Sequence, residues 1–291
     1  MDLSGRRKSD NVEDRRGVSG GTVAGIGIGG VIVAVLFSLL SGNSDMGSIL
    51  GNVLQNMPQQ SAQTEQQGDY TPTAQEQEYE DFAKTILAGT EDAWTQIFKE
   101  QNFGEYPAPT LVFFKGAVQS ACGNATSSVG PFYCSGDQKL YIDLDFFDQM
   151  DKQMSAGGEL AHAYVIAHEV GHHIEYCTGL LTKVHKAMQQ NPKQQNELSV
   201  RLELLADYYA GVWANRDSKT YNSIDTKDID EAINCAKKIG DDYLQKQAYG
   251  QSSPESFTHG TSEQRARWFK KGLQSGTFQE MPTFEVDYSQ L

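Results

Sequence analysis

The segment His168-Glu-Val-Gly-His172 constrains the fold of this chain more than any other feature, because it matches the pattern HExxH. On a helix, residues four positions apart lie one turn apart on the same face, so His168 and His172 can bind one metal ion. Glu169 is rotated by about 100° from His168, which places its carboxylate beside such an ion, where it can accept a proton from water. The pattern therefore predicts a helix that carries a metal site and a general base.

The surroundings of the motif favour this interpretation. Gly157-Gly158 precede it and Thr178-Gly179 follow it, which predicts a helix of about five turns. The alternative is two histidines on a buried amphipathic helix with no metal. Since Glu175 and Thr178 stand where metzincins require Gly and His, that class is excluded. We expect Glu175 to be solvated or to support a ligand from behind.

A catalytic zinc site needs a third protein ligand and one open position. Residues 200–214 form an apolar segment that places Glu203 and Asp207 four residues apart on one helix face. Two carboxylates there are costly to bury unless they are paired or bound to metal. We therefore predict Glu203 as the third ligand and Asp207 as the residue that orients a ligating imidazole. The alternative is a partly solvated acidic edge paired with Arg201 or Arg216.

His259 lies before a helix that Thr261 or Ser262 can cap. An imidazole on a loop suits the role of donor to a tetrahedral oxyanion, with Arg265 holding the loop through a backbone hydrogen bond. The alternative is a surface or capping histidine, which is the more common role of a single loop histidine.

Several motifs in this order resemble one known family. HEVGHH at 168–173, RLELLAD at 201–207 followed by AGVWA, and SFTHG and SEQR near 256–265 are similar to the bacterial neutral zinc metallopeptidase family of single-pass membrane proteins. The resemblance runs from RKSDNVEDRRG at 7–17 to WFKKG at 268–272. It implies a zincin-like domain that binds zinc and hydrolyses peptide bonds.

A wider resemblance is to the membrane-associated gluzincins, which combine HExxH, ExxxD and a later histidine. In that group the first Glu of ExxxD binds zinc and the later histidine stabilises the transition state, which implies these roles for Glu203 and His259 here. Gly260 departs from the pattern, because the wider group usually has proline there.

Residues 21–40 contain no charge and reach the length that spans a bilayer. We interpret them as a retained transmembrane helix. The alternative is a cleaved signal peptide, but the apolar run is long for one and lacks a small-x-small cleavage site. Glycines within this segment would allow a weak contact between the membrane helices of two copies of the chain. Five basic residues precede the segment, and by the positive-inside rule they predict a cytoplasmic N-terminus and an extracytoplasmic catalytic domain, in the periplasm or at the cell exterior.

The chain is thus divided into a cytoplasmic tail (1–20), the membrane helix (21–40), a flexible polar linker (41–75), a metallopeptidase domain (76–279) and a C-terminal tail (280–291). Hydrophobic periodicity predicts a mostly helical α+β fold with a small sheet. The predicted strands cover residues 110–114 and 139–144, and the predicted helices cover residues 78–102, 146–154, 158–177, 197–215, 229–249 and 262–273.

The four cysteines all fall after the predicted anchor, where an even number suggests disulfides with three possible connectivities. Cys122 and Cys134 flank a loop rich in Gly and Ser and are the favoured pair, which would leave Cys177 to meet Cys235. The formal net charge of −14 disfavours nucleic acid as a partner.

Together these observations predict a membrane-anchored zinc metallopeptidase that acts on a peptide or protein substrate. His168, His172 and Glu203 would hold Zn²⁺, with Glu169 as base and His259 as oxyanion donor. The alternative is a catalytically silent, zinc-stabilised envelope scaffold or interaction protein. The intact Glu169 argues against it, because a purely structural site needs no base.

Overall fold

A four-stranded mixed sheet and a layer of helices share one core in residues 1–17 and 70–291, which are the residues described by a computed structural model of the chain. The sheet has the order β1-β2-β6-β5, in which β1, β2 and β6 are parallel and β5 is antiparallel to β6. Its strands are β1 (Val12–Asp14), β2 (Thr110–Phe114), β5 (Phe132–Cys134) and β6 (Lys139–Asp143). A separate hairpin joins β3 (Ala117–Ser120) to β4 (Gly123–Thr126).

Eight α-helices lie in the described part of the chain. They are α1 (Ala74–Gln101), α2 (Asp145–Lys152), α3 (Glu159–Cys177), α4 (Leu180–Gln190), α5 (Gln195–Tyr221), α6 (Thr226–Lys238), α7 (Asp241–Tyr249) and α8 (Ser262–Ser275). Short 3₁₀ turns occur at Ser127–Val129, Pro192–Gln194, Pro254–Ser256 and Tyr288–Gln290.

Helix α1 crosses between the parallel strands β1 and β2, as parallel pairing requires. It begins with a capping box in which Thr73 and Glu76 each bond the other's backbone, and it ends at Asn102 in the left-handed conformation (φ 58°). Its buried face, with Ile86, Trp94 and Ile97 at most 1% exposed, packs toward α3 and α5. The helix therefore ties the sheet to the helical layer.

Helices α3 and α5 pack closely against each other. The contact is tightest at Gly171, where a β-carbon would lie 2.8 Å from the α-carbon of Ala206. Helix α8 also packs against α5. Any side chain larger than hydrogen at residue 171 would push α3 and α5 apart, so Gly171 sets their separation.

The structure confirms the predicted α+β class, and β2 has the predicted bounds. The single helix predicted at 229–249 is wrong: the chain breaks at Gly240 into α6 and α7, since a β-carbon at Gly240 would lie 2.3 Å from the backbone nitrogen of Ser262. Helix α4 and strands β1, β3, β4 and β5 were not predicted.

The two chain ends differ from the predicted division into separate tails. Residues 1–17 pack on the domain, where Val12–Asp14 form an outer strand of the sheet. At the other end Thr283 and Leu291 are 0% and 2% exposed, and Arg201 donates a hydrogen bond to the carbonyl of Val286 at 3.0 Å. Both segments therefore belong to the folded domain.

Within residues 1–17 and 70–291, no helix combines the length and the apolar character needed to cross a bilayer. The transmembrane helix predicted at 21–40, its weak dimer contact and most of the predicted linker lie outside the described residues.

Cys122 and Cys134 form a disulfide that joins the turn after β3 to the end of β5, as predicted. The predicted Cys177–Cys235 bond is wrong, because both thiols are free. Cys177 lies beside His173 on α3, with 3.3 Å between its sulfur and Nε2, whereas Cys235 is buried on α6 near Arg265 and Asp207.

Candidate metal centre

Helices α3 and α5 bring the three predicted metal ligands together. Nε2 of His168 lies 3.2 Å from one carboxylate oxygen of Glu203, and Nε2 of His172 lies 3.6 Å from the other. One ligand atom from each of the three residues falls within 4.8 Å of the other two. Among the described residues this is the cluster that could hold a metal ion, and it is the cluster predicted from the sequence.

Each histidine is oriented from behind by a carboxylate. Nδ1 of His168 lies 2.8 Å from Asp207, and Nδ1 of His172 lies 2.9 Å from Glu175. A carboxylate at Nδ1 fixes the ring and leaves Nε2 as the atom that can bind a metal. Asp207 therefore lies where it can orient His168, and Glu175, completely buried, lies where it can orient His172.

The charges of this cluster favour a bound cation. Burial lowers the pKa of His172, but Glu175 and Glu203 outweigh it and raise that pKa to about 10. Burial would raise the pKa of Glu203, yet the charges of His259 and His172 hold it well below its usual range. A metal ion bound in place of the His172 proton would have two neutral imidazoles and a carboxylate as ligands, which is a usual set for zinc. The residues present therefore fit Zn²⁺.

Behind the ligands, Asp207 belongs to a buried network. Its carboxylate accepts hydrogen bonds from Nε of Arg265 at 2.9 Å and from the hydroxyl of Tyr164 at 2.5 Å. Burial raises the pKa of Asp207, but Arg265 and His168 dominate and lower it to about 2. The aspartate is therefore ionised and can accept a hydrogen bond from His168.

The role predicted for Arg265 is wrong. Its guanidinium pairs with Asp207, and its backbone contact is with the carbonyl of Ile239 at 3.4 Å rather than with the loop that holds His259. Arg265 is 3% exposed, and a buried guanidinium requires a carboxylate partner.

Glu169 lies one position from a ligand and is half-buried. Burial raises the pKa of its carboxyl, while the charges of His168 and His172 and the nearby backbone of Tyr133 lower that pKa in part. Tyr133 is the middle residue of β5, and β5 is the last strand of the sheet in the described residues. The predicted base therefore stands between the metal ligands and a strand edge.

His259 is held by a carboxylate that the sequence analysis did not identify. Asp241 accepts hydrogen bonds from the backbone nitrogens of Thr258, His259 and Gly260 at 2.8, 2.7 and 3.1 Å, and its other oxygen lies 3.1 Å from Nδ1 of His259. Burial lowers the pKa of His259, but Glu203 and Asp241 raise it to about 9. The imidazole, 43% exposed, is thus a cation that acts on Glu203.

Gly260 explains the departure from the wider gluzincin pattern. Its φ is +92°, which proline cannot adopt because its ring fixes φ near −65°. The backbone around His259 therefore follows a different path from one with proline at this position. The cap that follows is the predicted one: Thr261 accepts a hydrogen bond from the nitrogen of Gln264 and forms a capping box with it.

The other histidines take no part in the cluster, as predicted. His162 stacks on Phe147 and lies 3.1 Å from Asp151. Nε2 of His173 donates a hydrogen bond to the carbonyl of Pro107 at 2.6 Å, and Nδ1 lies 2.9 Å from the hydroxyl of Tyr133. Burial lowers the pKa of His173 to about 4, so the ring is neutral and structural.

These features define a mixed α+β domain in which two histidines of an HExxH segment and one glutamate form a candidate metal site. The chain belongs to the family described as "Putative neutral zinc metallopeptidase", whose family model matches residues 1–284.

Two bacterial relatives extend this similarity. The chain is 43% identical over 293 residues to the uncharacterized protein YpfJ of Escherichia coli (strain K12), a match that covers 98% of this chain and 99% of that protein. It is 40% identical over 191 residues to the uncharacterized protein Rv2575 of Mycobacterium tuberculosis (strain ATCC 25618 / H37Rv), covering 62% of this chain and 64% of that one. No solved structure matches the chain.

Proposed function

We propose that this protein is a zinc-dependent peptidase attached to a membrane through residues 21–40. The observation that carries the proposal is the convergence of Nε2 of His168 and Nε2 of His172 on the two oxygens of Glu203, with Glu169 beside them. A zinc ion bound there supplies a Lewis acid and lowers the pKa of water. A purely structural site has no need of the half-buried Glu169.

The residues around the ligands divide the remaining chemistry. Glu169, whose pKa is raised by burial, accepts a proton from the attacking water and delivers it to the leaving amine. His259 carries a positive charge on a partly exposed ring and donates a hydrogen bond to the oxyanion. Asp207 and Glu175 hold the two ligating imidazoles in orientation.

The substrate is proposed to be a peptide in an extended conformation. Within the described residues β5 pairs only with β6, so its other edge offers backbone donors and acceptors. A peptide that adds to such an edge gains main-chain hydrogen bonds. Since the backbone of Tyr133 lies near Glu169, a peptide at this edge would lie close to the base.

The disulfide favours a location for the domain. A Cys122–Cys134 bond persists in an oxidising compartment, such as the periplasm or the cell exterior. We therefore propose that residues 70–291 face that compartment. The formal net charge of −14 disfavours nucleic acid as a partner of this domain.

The test uses the full-length chain purified in detergent, measured for zinc per chain and for cleavage of a mixed peptide library. Glu169→Gln should retain zinc and lose cleavage, because it removes a base and no ligand. Glu255→Gln, at an exposed position in the Pro254–Ser256 turn, is the matched control and should behave as the parent. If the parent binds zinc but cleaves no peptide, the result would instead support a catalytically silent, zinc-stabilised scaffold.

A further inference from the structure

The N-terminal segment is joined to the domain by backbone hydrogen bonds on both sides. Strand β1 pairs with β2 in the register Val12 with Leu111 and Asp14 with Phe113. The nitrogen of Leu111 donates to the carbonyl of Asn11 at 2.9 Å, and the nitrogen of Ser9 donates to the carbonyl of Lys84 at 3.0 Å. The segment therefore occupies an edge of the sheet and also contacts α1.

Two arginines of this segment are buried in ion pairs with the domain. Arg6 donates to Asp217 at 2.9 Å, and the two side chains are 6% and 0% exposed. Arg16 pairs with Glu80 of α1, and its side chain is 1% exposed. If the segment left the domain, Asp217 would lose its cationic partner inside the protein, which is unfavourable for a buried charge.

Helix α1 is shaped to accept Arg6. Gly89 lies in the middle of this 28-residue helix, where glycine is normally unfavourable. A β-carbon at this position would lie 2.6 Å from a guanidinium nitrogen of Arg6 and 2.7 Å from a carboxylate oxygen of Asp217. The helix thus leaves space for the ion pair, which indicates that Arg6 is part of the folded domain.

The same basic residues gave the positive-inside prediction, and the fold supplies another reason for them. Arg6, Arg7, Lys8 and Arg16 each form an ion pair with an acidic residue of α1 or α5, and Arg15 pairs with Glu13 inside the segment. Because these basic residues form ion pairs within the folded protein, their charge does not by itself indicate that the N-terminal segment is cytoplasmic.

Residues 1–17 and 70–291 also contact each other close to the two ends of the segment that separates them in the sequence. The guanidinium of Arg16 lies 5.2 Å from the ring centre of Tyr70. Residues 21–40 form one uncharged run, long enough for a single crossing, whereas residues 41–69 are too polar for a second. A single complete crossing would put residues 1–17 and 70–291 on opposite sides, where they could not fold together.

We propose that residues 1–17 and residues 70–291 of one chain lie on the same side of the membrane, as one folded unit. Residues 21–40 then attach the protein to the bilayer without separating the two parts. This replaces the topology predicted from charge, in which the N-terminus is cytoplasmic and the domain lies outside. The proposal concerns the fold and its location, so it stands whether or not the protein hydrolyses peptides.

Thiol labelling of the full chain in cells tests this placement. Ser4→Cys and Lys193→Cys put single reactive thiols at exposed positions of the segment and the domain, in a background of Cys177→Ser and Cys235→Ala that keeps the native disulfide. A membrane-impermeant maleimide should label both thiols in intact spheroplasts, or neither until the membrane is permeabilised. Labelling of one thiol before and the other only after permeabilisation would overturn the proposal. Labelling after denaturation controls for thiol reactivity.

A second measurement tests docking without cells. A protease site inserted after residue 60 allows the purified full chain to be cut in detergent, and the N-terminal fragment should then elute with the domain. Arg6→Ala should release the fragment, because it breaks a buried pair. Lys8→Ala is the matched control and should not, since Lys8 and Asp81 are 49% and 42% exposed. Release of the N-terminal fragment from the parent and from Lys8→Ala would contradict the docking.

Discussion

Asp207 accepts a hydrogen bond from Nε of Arg265 at 2.9 Å while both side chains are fully buried behind the metal ligands. Because the same carboxylate lies 2.8 Å from Nδ1 of His168, the charge of Arg265 reaches the site through Asp207. Arg265, which lies on a third helix, α8, therefore supports the carboxylate that contacts the candidate metal ligand His168.

We predict that Arg265→Ala lowers zinc affinity by about 10- to 100-fold, because Asp207 loses the partner that keeps it in place. Stability should fall by about 3–5 kcal/mol, since a buried carboxylate is left unpaired. Zinc titration and urea unfolding measure the two effects. Lys270→Ala, at an exposed position of the same helix, is the control. Unchanged zinc affinity in Arg265→Ala would show that Asp207 does not depend on the arginine.

A second prediction concerns His259. His259→Ala should lower turnover by about a hundredfold or more while zinc content stays at the parent level, because an oxyanion donor acts mainly in the transition state. Asp241→Asn should lower turnover by less, since it retains the ring but weakens its orientation. Kinetics on any cleaved peptide decide the matter, and a turnover in His259→Ala close to that of the parent would remove the residue from the mechanism.

A third prediction concerns the disulfide. Cys122 and Cys134 close a short loop, so their loss should lower stability by about 3 kcal/mol. Activity should fall as well, because Cys134 ends β5 next to Tyr133, whose backbone lies near Glu169. Thermal unfolding and peptide cleavage with and without reductant measure this. The double variant Cys122→Ser/Cys134→Ser is the control, and reductant should have no further effect on it.

A fourth prediction concerns acid stability. Burial raises the pKa of Glu76, but Tyr70, Thr73 and Lys115 outweigh it and lower the pKa to about 2. A lowered carboxyl pKa stabilises the fold above the ordinary value near 4.5, and the stabilisation is lost as pH falls toward 2. Glu76→Gln should therefore differ from the parent in urea midpoint at pH 6, and the difference should shrink between pH 4.5 and pH 2. A constant difference over that range would contradict the shift.

The sequence was sufficient where local pattern and chemistry agree. The pairing of His168 with His172, and of Glu203 with Asp207, on single helix faces was predictable because residues four positions apart lie one turn apart, whatever the rest of the fold does. Strand Thr110–Phe114 was predictable because it is a short run of large apolar residues, nearly all buried.

The contacts of Asp241 and the pairing of strand β1 could not be predicted, because they depend on long-range contacts that leave no local sequence pattern. Asp241 bonds three backbone nitrogens 17 to 19 residues away, and nothing near it in the sequence distinguishes it from its neighbour Asp242. Strand β1 contains one apolar residue among two acids, so it has no strand pattern. It is held by charges on α1 and α5 that only the folded chain brings close.

The pair between Arg6 and Asp217 joins residues 211 positions apart in the chain. Contacts of such long range are slow to form, since much of the chain must be ordered first. During synthesis residues 21–40 leave the ribosome and can meet the membrane long before Asp217 has been made. Arg6 therefore lacks its partner until Asp217 has been made, whereas the partners of Arg7 and Arg16 on α1 are made much earlier. If residues 21–40 attach the protein to the membrane as proposed, attachment can precede the closure of the N-terminal segment by the pair between Arg6 and Asp217.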